Sequence, residues 1–177
     1  MPYSIDSVNF FSIEGIPWIL LAWGSLYLFR SLSTLLHETG HAMTALILTH
    51  EKVKIRVVSG KRPFVWKSNW LDLSFSIKNS MIGQTEFSTY NLNSKKQVLI
   101  LFASPVFSAG AALGGIFLAI KVFDSITLKS LTVGWICSNA ICFLRNSLPI
   151  ELKGIDEKLV GIPSDGLQIY RLLRSMK

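Results

Sequence analysis

Leu35-Leu36-His37-Glu38-Thr39-Gly40-His41-Ala42-Met43 lies inside a long apolar run, and the reading of the whole chain turns on it. The stretch has the form H-E-x-x-H, and the only other histidine is His50. On a helix, His37 and His41 fall one turn apart on the same face, placed to hold one metal ion. Glu38, beside the first histidine, would reach a water activated by that metal and take its proton. This is zinc hydrolase chemistry in a stretch suited to lipid.

Outward from the motif, residues 17–49 are nearly continuously apolar, broken by Arg30 and the motif itself. As one helix they would run roughly 48 Å, longer than a bilayer core, so the helix must tilt or begin outside the hydrocarbon. Trp18, Trp23 and Tyr27 suit an interfacial start. A second candidate span covers 97–120, where Ser104, Ser108, Ala112, Gly115 and Ala119 recur along one face and let another helix come close. Pro105 should loosen this helix near its start. A third span, over about 130–148, has its apolar part from Leu131 to Leu144, contains Asn139, and closes at Arg145-Asn146-Ser147-Leu148-Pro149. No Lys or Arg precedes Arg30, and the first apolar run is too long for a signal-peptide core, so it reads as a retained membrane helix.

Composition agrees. Half of the 177 residues are hydrophobic, 16% are charged, and the mean hydropathy is +0.42. That excludes a typical soluble domain and fits one polytopic membrane domain over 1–177. The net charge of +7 does not imply nucleic acid, because the basic residues cluster between the apolar runs, as membrane topology is written. Cys137 and Cys142 both fall in an apolar segment and read as lipid-buried side chains rather than a disulfide or zinc ligands.

Between the first two spans, residues 50–96 change character. Lys52 to Val57 alternates with period two, as does Leu71 to Lys78, with turn signals at Ser59-Gly60 and at Asn79-Ser80 with Gly83. Phe64, Trp66 and Trp70 among Lys61, Arg62 and Lys67 suit a headgroup layer. The expected fold is all-α, a core of three transmembrane helices with a small antiparallel sheet at the membrane surface between the first two. In the tail (161–177), after a polar loop from Glu151 to Val160, Ser164 is a candidate N-cap for a short amphipathic helix with Asp165 in its first turn.

Lys and Arg number none before Pro17, nine from His50 to Lys96, two from Lys121 to Lys129 and six from Arg145 onward. The positive-inside bias therefore puts the N-terminus outside and the sheet and C-terminal tail in the cytoplasm, in a plasma membrane of bacterial type. The metal would lie roughly 12 Å from the cytoplasmic edge.

A catalytic zinc usually has three protein ligands and an open position. His50, about 180° round the helix from His41, is a poor third. Asp165 is the best of the acids, since a helix start favours an ionised carboxylate and Gly166 permits close backbone approach. Arg30, seven residues before His37 and about 10 Å away on nearly the same face, either lines the outer end of the site or snorkels and pairs elsewhere.

His37-Glu38-Thr39-Gly40-His41-Ala42 in the first span, Ala103-Ser104-Pro105 in the second, and Asn146-Ser147-Leu148-Pro149 followed by Ser164-Asp165-Gly166 resemble the site-2 protease family of intramembrane zinc metalloproteases. The resemblance runs from about Pro17 to Leu173. It implies a three-helix core, one Zn2+ per chain held by His37, His41 and Asp165, Glu38 as general base, and Asn146 as a holder of substrate or oxyanion. It also implies a membrane-protein substrate cleaved in or beside the bilayer. The chain departs from the family pattern in having Ser-Pro where Gly-Pro is frequent, Ser108 where asparagine is common, and a longer gap from Asn146 to Asp165. An edge of the sheet, with Lys52 to Val57 as the candidate, could hold an extended substrate by strand addition. Competing readings are an inactive chain of the same fold that binds or regulates membrane partners, a zinc peptidase acting on soluble peptides at the cytoplasmic face, and a metal transporter. The intact motif speaks against the first. A middle span without ionisable groups before Lys121 speaks against the last.

Overall fold

The apolar runs fold as helices. A computed structural model describes residues 13–58, 63–76, 83–90, 92–152 and 161–176. The chain is mostly helical, and α1 (Ile16–Thr49), α2 (Ser94–Lys121) and α3 (Ile126–Ser147) are each long and apolar enough to cross a membrane. Each packs on the other two. Pro17 sits in the first turn of α1, where a missing N–H costs nothing. At the other end His50 turns left-handed (φ 55°), and its N–H closes on the Leu46 carbonyl at 3.0 Å. This exposed histidine ends a helix and takes no part in the site.

Small residues decide how the helices meet. A Cβ added to Gly40 would stand 2.8 Å from the Cα of Ser104, so only glycine lets α1 and α2 lie this close. Gly134 of α3 is pressed in the same way against Ala22 and Ser25 of α1. Along α2, Ser104, Ser108, Ala112 and Gly115 are buried, the stripe expected from their spacing. Between the helices many buried side chains are polar. Ser25, Ser31, Ser33, Ser130 and Asn139 are buried while Trp23, Leu113, Phe117 and Ile120 are exposed, the reverse of a soluble protein's arrangement.

Between α1 and α2 lie β1 (Val53–Val57), β2 (Phe64–Lys67), β3 (Leu71–Phe75) and β4 (Gln84–Glu86), in the spatial order β2-β3-β1-β4. Alternation on β1 works as expected: Val53, Ile55 and Val57 are buried with Ala42, Ala45 and Ile100, while Lys54 and Arg56 face out. The expected antiparallel sheet needs correction, because β1 and β3 pair in parallel. The reason lies in β2, whose residues the sequence suggested only as a headgroup-layer segment. Ser68 Oγ accepts from the N–H groups of Trp70 and Leu71, making a tight turn that pairs β2 antiparallel with β3. β3 then enters beside β1 running the same way. The turns expected at Ser59-Gly60 and Asn79-Ser80 lie outside the described residues. A second correction follows: β1 is paired on both sides, by β3 and β4, and has no edge for a substrate.

After α3, β5 (Glu151–Leu152) pairs with β6 (Ile162–Pro163), so the first two residues of the expected polar loop form a strand that pairs just beyond the loop's far end. Ser164 caps α4 (Asp165–Ser175) by accepting from the Leu167 N–H, as its position suggested. The same hydroxyl donates to the Leu148 carbonyl at 2.5 Å and so fastens the helix start to the end of α3. Gly166 lies against the Ser147 carbonyl, where no Cβ fits.

Candidate metal centre

Two turns of α1 and the first residue of α4 converge on one point. His37 Nε2 lies 3.0 Å from Asp165 Oδ2, and His41 Nε2 lies 3.3 Å from Asp165 Oδ1. All three residues are buried, and the group could hold a metal ion. Tetrahedral ligands at the usual ~2.0–2.1 Å from zinc stand roughly 3.3–3.4 Å apart, close to these separations.

The hydrogen bonds behind the rings point the same way. His41 Nδ1 is 2.9 Å from the Ile100 carbonyl, which can only accept, so Nδ1 carries a proton. In the neutral ring Nε2 is then a lone pair facing a carboxylate oxygen. Two such acceptors repel unless a proton or a cation lies between them. Asp165 Oδ2 is buried without an aligned donor despite the nearby His37 ring, an orphaned acceptor of the kind a cation satisfies. Burial alone would raise the Asp165 carboxyl, but with a proton on each facing ring nitrogen His37 and His41 hold it down at about 2, and a cation in place of those protons would act in the same direction. Its place in the first turn of α4 acts in the same direction.

α2 supplies the supports. Ser108 Oγ is 3.2 Å from His37 Nδ1, and Ser104 Oγ donates to the His37 carbonyl. Sequence spacing marked both serines as packing residues and gave no sign that Ser108 meets the His37 ring or that Ser104 bonds the main chain of α1. Pro105 runs within the unbroken α2. Lacking an N–H, it leaves the Leu101 carbonyl without its helical donor, and Leu101 lines the adjoining cavity.

That cavity has a volume of about 530 Å3 and is walled by α1, α3, α4 and β4, with Leu101 of α2 and the β5–β6 pair completing it. Glu38 lines it next to the histidines. Its carboxylate Oε2 accepts a 2.6 Å hydrogen bond from Thr85 of β4, and a Cβ at Gly83 would collide with its side chain. Thr85 escaped sequence reasoning, because no spacing links a threonine on a three-residue strand to a glutamate 47 positions earlier. Thr85→Val should lower any Glu38-dependent turnover about tenfold or more, the usual worth of one hydrogen bond to a charged group. Thr85→Ser should keep it. A rise in turnover with valine would instead mean that the bond restrains Glu38.

Asn146 also lines the cavity, with its Nδ2 donating to the Cys142 carbonyl at 2.9 Å. Cys142, read on sequence grounds as a lipid-buried side chain, reaches the cavity wall, and its Sγ lies 3.6 Å from Asn146 Nδ2. Arg30 lines the cavity as well, its guanidinium 5.8 Å from the Tyr27 ring centre. The fold thus gathers His37, Glu38, His41, Asn146 and Asp165 around one space. Comparison of the chain with known protein families, curated proteins and solved structures finds no match.

Proposed function

We propose that this chain is a zinc-dependent intramembrane endopeptidase of the site-2 protease type. The observation that carries this reading is the meeting of His37 and His41 with Asp165, 124 positions beyond His41 in the chain, beside a glutamate that lines an open cavity. A structural zinc site is closed by four protein ligands, whereas three ligands beside a cavity fit a catalytic one.

His37, His41 and Asp165 would hold the ion. When bound, zinc supplies a Lewis acid that acidifies water and polarises a carbonyl. Glu38 takes up the proton released as water attacks the scissile carbonyl and returns it to the leaving amine. Thr85 holds one oxygen of the Glu38 carboxylate, and Asn146, whose amide donates to the Cys142 carbonyl, would give its second N–H to the substrate on the α3 side. A helical peptide bond is shielded by its own hydrogen bonds, so the substrate must unwind. The outer edge of β4, next to Glu38, is the position for an extended chain to add by strand pairing.

The three long helices would span a bilayer, with the sheet and α4 in the cytoplasm, the side favoured by the excess of Lys and Arg. A reporter fused after Lys177 should be active only in the cytoplasm. Activity only outside would reverse the topology.

Elemental analysis of the detergent-purified protein should find about one zinc per chain. Chelation should abolish cleavage of a single-span substrate, and added zinc should restore it. A metal-free chain that cleaves at full rate would end the proposal.

A further inference from the structure

Helix α4 carries a candidate metal ligand at its first residue, yet its last two turns are left largely open. Its inner side packs on α2 and α3, where Asp165 is buried and Ile169 and Leu172 are half-buried. On its outer side Tyr170, Leu173 and Met176 are 55%, 49% and 42% exposed. A helix of eleven residues is marginal in water without cover for its apolar side chains. Arg171 and Arg174 are exposed in the same turns. Arg171 meets Glu151 at 3.2 Å, a surface pair of little strength, and among the described residues no carboxylate pairs with Arg174. These turns sit at a definite level. Glu151 follows the end of α3 at Ser147, so its pair with Arg171 puts that turn of α4 beyond the end of the third span. Asp165 lies beside the histidines, within the first span. The helix rises about 13 Å from Asp165 to Arg174, close to the roughly 12 Å expected between the metal and the cytoplasmic edge. It therefore runs from the metal centre to the headgroup layer.

We propose that the outer face of α4 docks on anionic phospholipid headgroups of the cytoplasmic leaflet and thereby steadies Asp165 at the metal centre. This rests on the topology and the metal-centre reading above and adds a partner to them. An interfacial helix divides its side chains in this way, the apolar ones entering the acyl boundary and the basic ones meeting the headgroups. Arginine's fork of N–H donors matches a phosphate in two-point contact. A free phosphate would leave Tyr170, Leu173 and Met176 in water, and a neutral bilayer would leave Arg174 unmatched. An anionic leaflet satisfies both.

The test is amide hydrogen exchange over residues 170–175, with and without zinc, which reads how firmly those turns are held. The protein is placed in nanodiscs of phosphatidylcholine alone, or of phosphatidylcholine and phosphatidylglycerol in equal parts. Each basic residue near an anionic surface gains about fivefold in binding, so exchange should be about fivefold slower or more in the mixed discs at low salt. The gain should fade in molar salt, where charges act only within about 3 Å. In the double variant Arg171→Gln, Arg174→Gln it should fall below about twofold. Linkage is reciprocal, so competition with a chelator should find zinc held about fivefold tighter or more in the mixed discs.

Equal exchange in the two kinds of disc overturns the proposal on the wild type alone, so a misfolded variant cannot shield it. A gain that survives in the double variant overturns it too. Protection by soluble glycerol phosphate in pure phosphatidylcholine discs assigns the arginines to a free phosphate and rejects the lipid surface. Protection that appears only with two chains in one disc assigns the face to a second copy and likewise rejects it. Equal zinc affinity in the two discs overturns the link to Asp165. Because exchange is also read without zinc, lipid docking is judged apart from the peptidase reading, and a chain that docks but binds no metal fails the latter.

Discussion

Glu38→Gln should abolish cleavage while leaving the metal in place. A positioned general base contributes on the order of 10²- to 10⁴-fold to rate, and the amide cannot take up the proton. Glu38 is not one of the three groups that converge on the candidate metal position, so metal content should match the wild type. The amide is nearly isosteric and can still meet the Thr85 hydroxyl, which keeps β4 in place. The measurement pairs elemental analysis with turnover of a single-span substrate on the same preparation. Turnover equal to wild type would falsify the role given to Glu38, and loss of metal would mean that Glu38 is a ligand.

Asp165→Ala should have the opposite signature, with both metal and activity lost. Groups that merely support a metal ligand cost 10- to 100-fold in affinity when removed, so loss of a ligand should cost more than about a hundredfold. The variant also leaves His37 and His41 facing each other with no anion between them. Competition with a zinc chelator of known affinity reads the effect directly. Retention of tight zinc would place the third ligand elsewhere, and Cys142, which lines the same cavity, would be the first position to examine.

The legible parts of the chain were those written in local chemistry. The spacing of His37 and His41 needs only helical periodicity to put both rings on one face. Asp165 could be singled out because Ser164 and Gly166 flank it with a cap and a close approach, both local signals, and Ser164 does cap α4. The small-residue stripe on α2 declared its packing face for the same reason. The sheet was only half legible. A period-two pattern announces a strand and its buried face, but it is the same for parallel and antiparallel partners. The pairing of β1 with β3 depends on where β2 turns at Ser68, which alternation does not encode. The contact of Thr85 with Glu38 and the place of Cys142 on the cavity wall were invisible, because tertiary packing alone creates them. Arg30 was left out of the site as a snorkelling or paired residue, and its place on the cavity wall needed three dimensions to see.

The anchoring of α4 bears on when this protein could first become active. Asp165 follows all three long helices in chain order and reaches the histidines only after Ser164 and Gly166 dock on the end of α3. A chain emerging from the ribosome would therefore insert its H-E-x-x-H helix long before a complete ligand set existed. Through that interval the nascent protein would carry a base and two imidazoles but no assembled centre, and it would be harmless to neighbouring membrane proteins still being inserted. Assembly of the candidate centre is thus timed by the distance along the chain between His41 and Asp165.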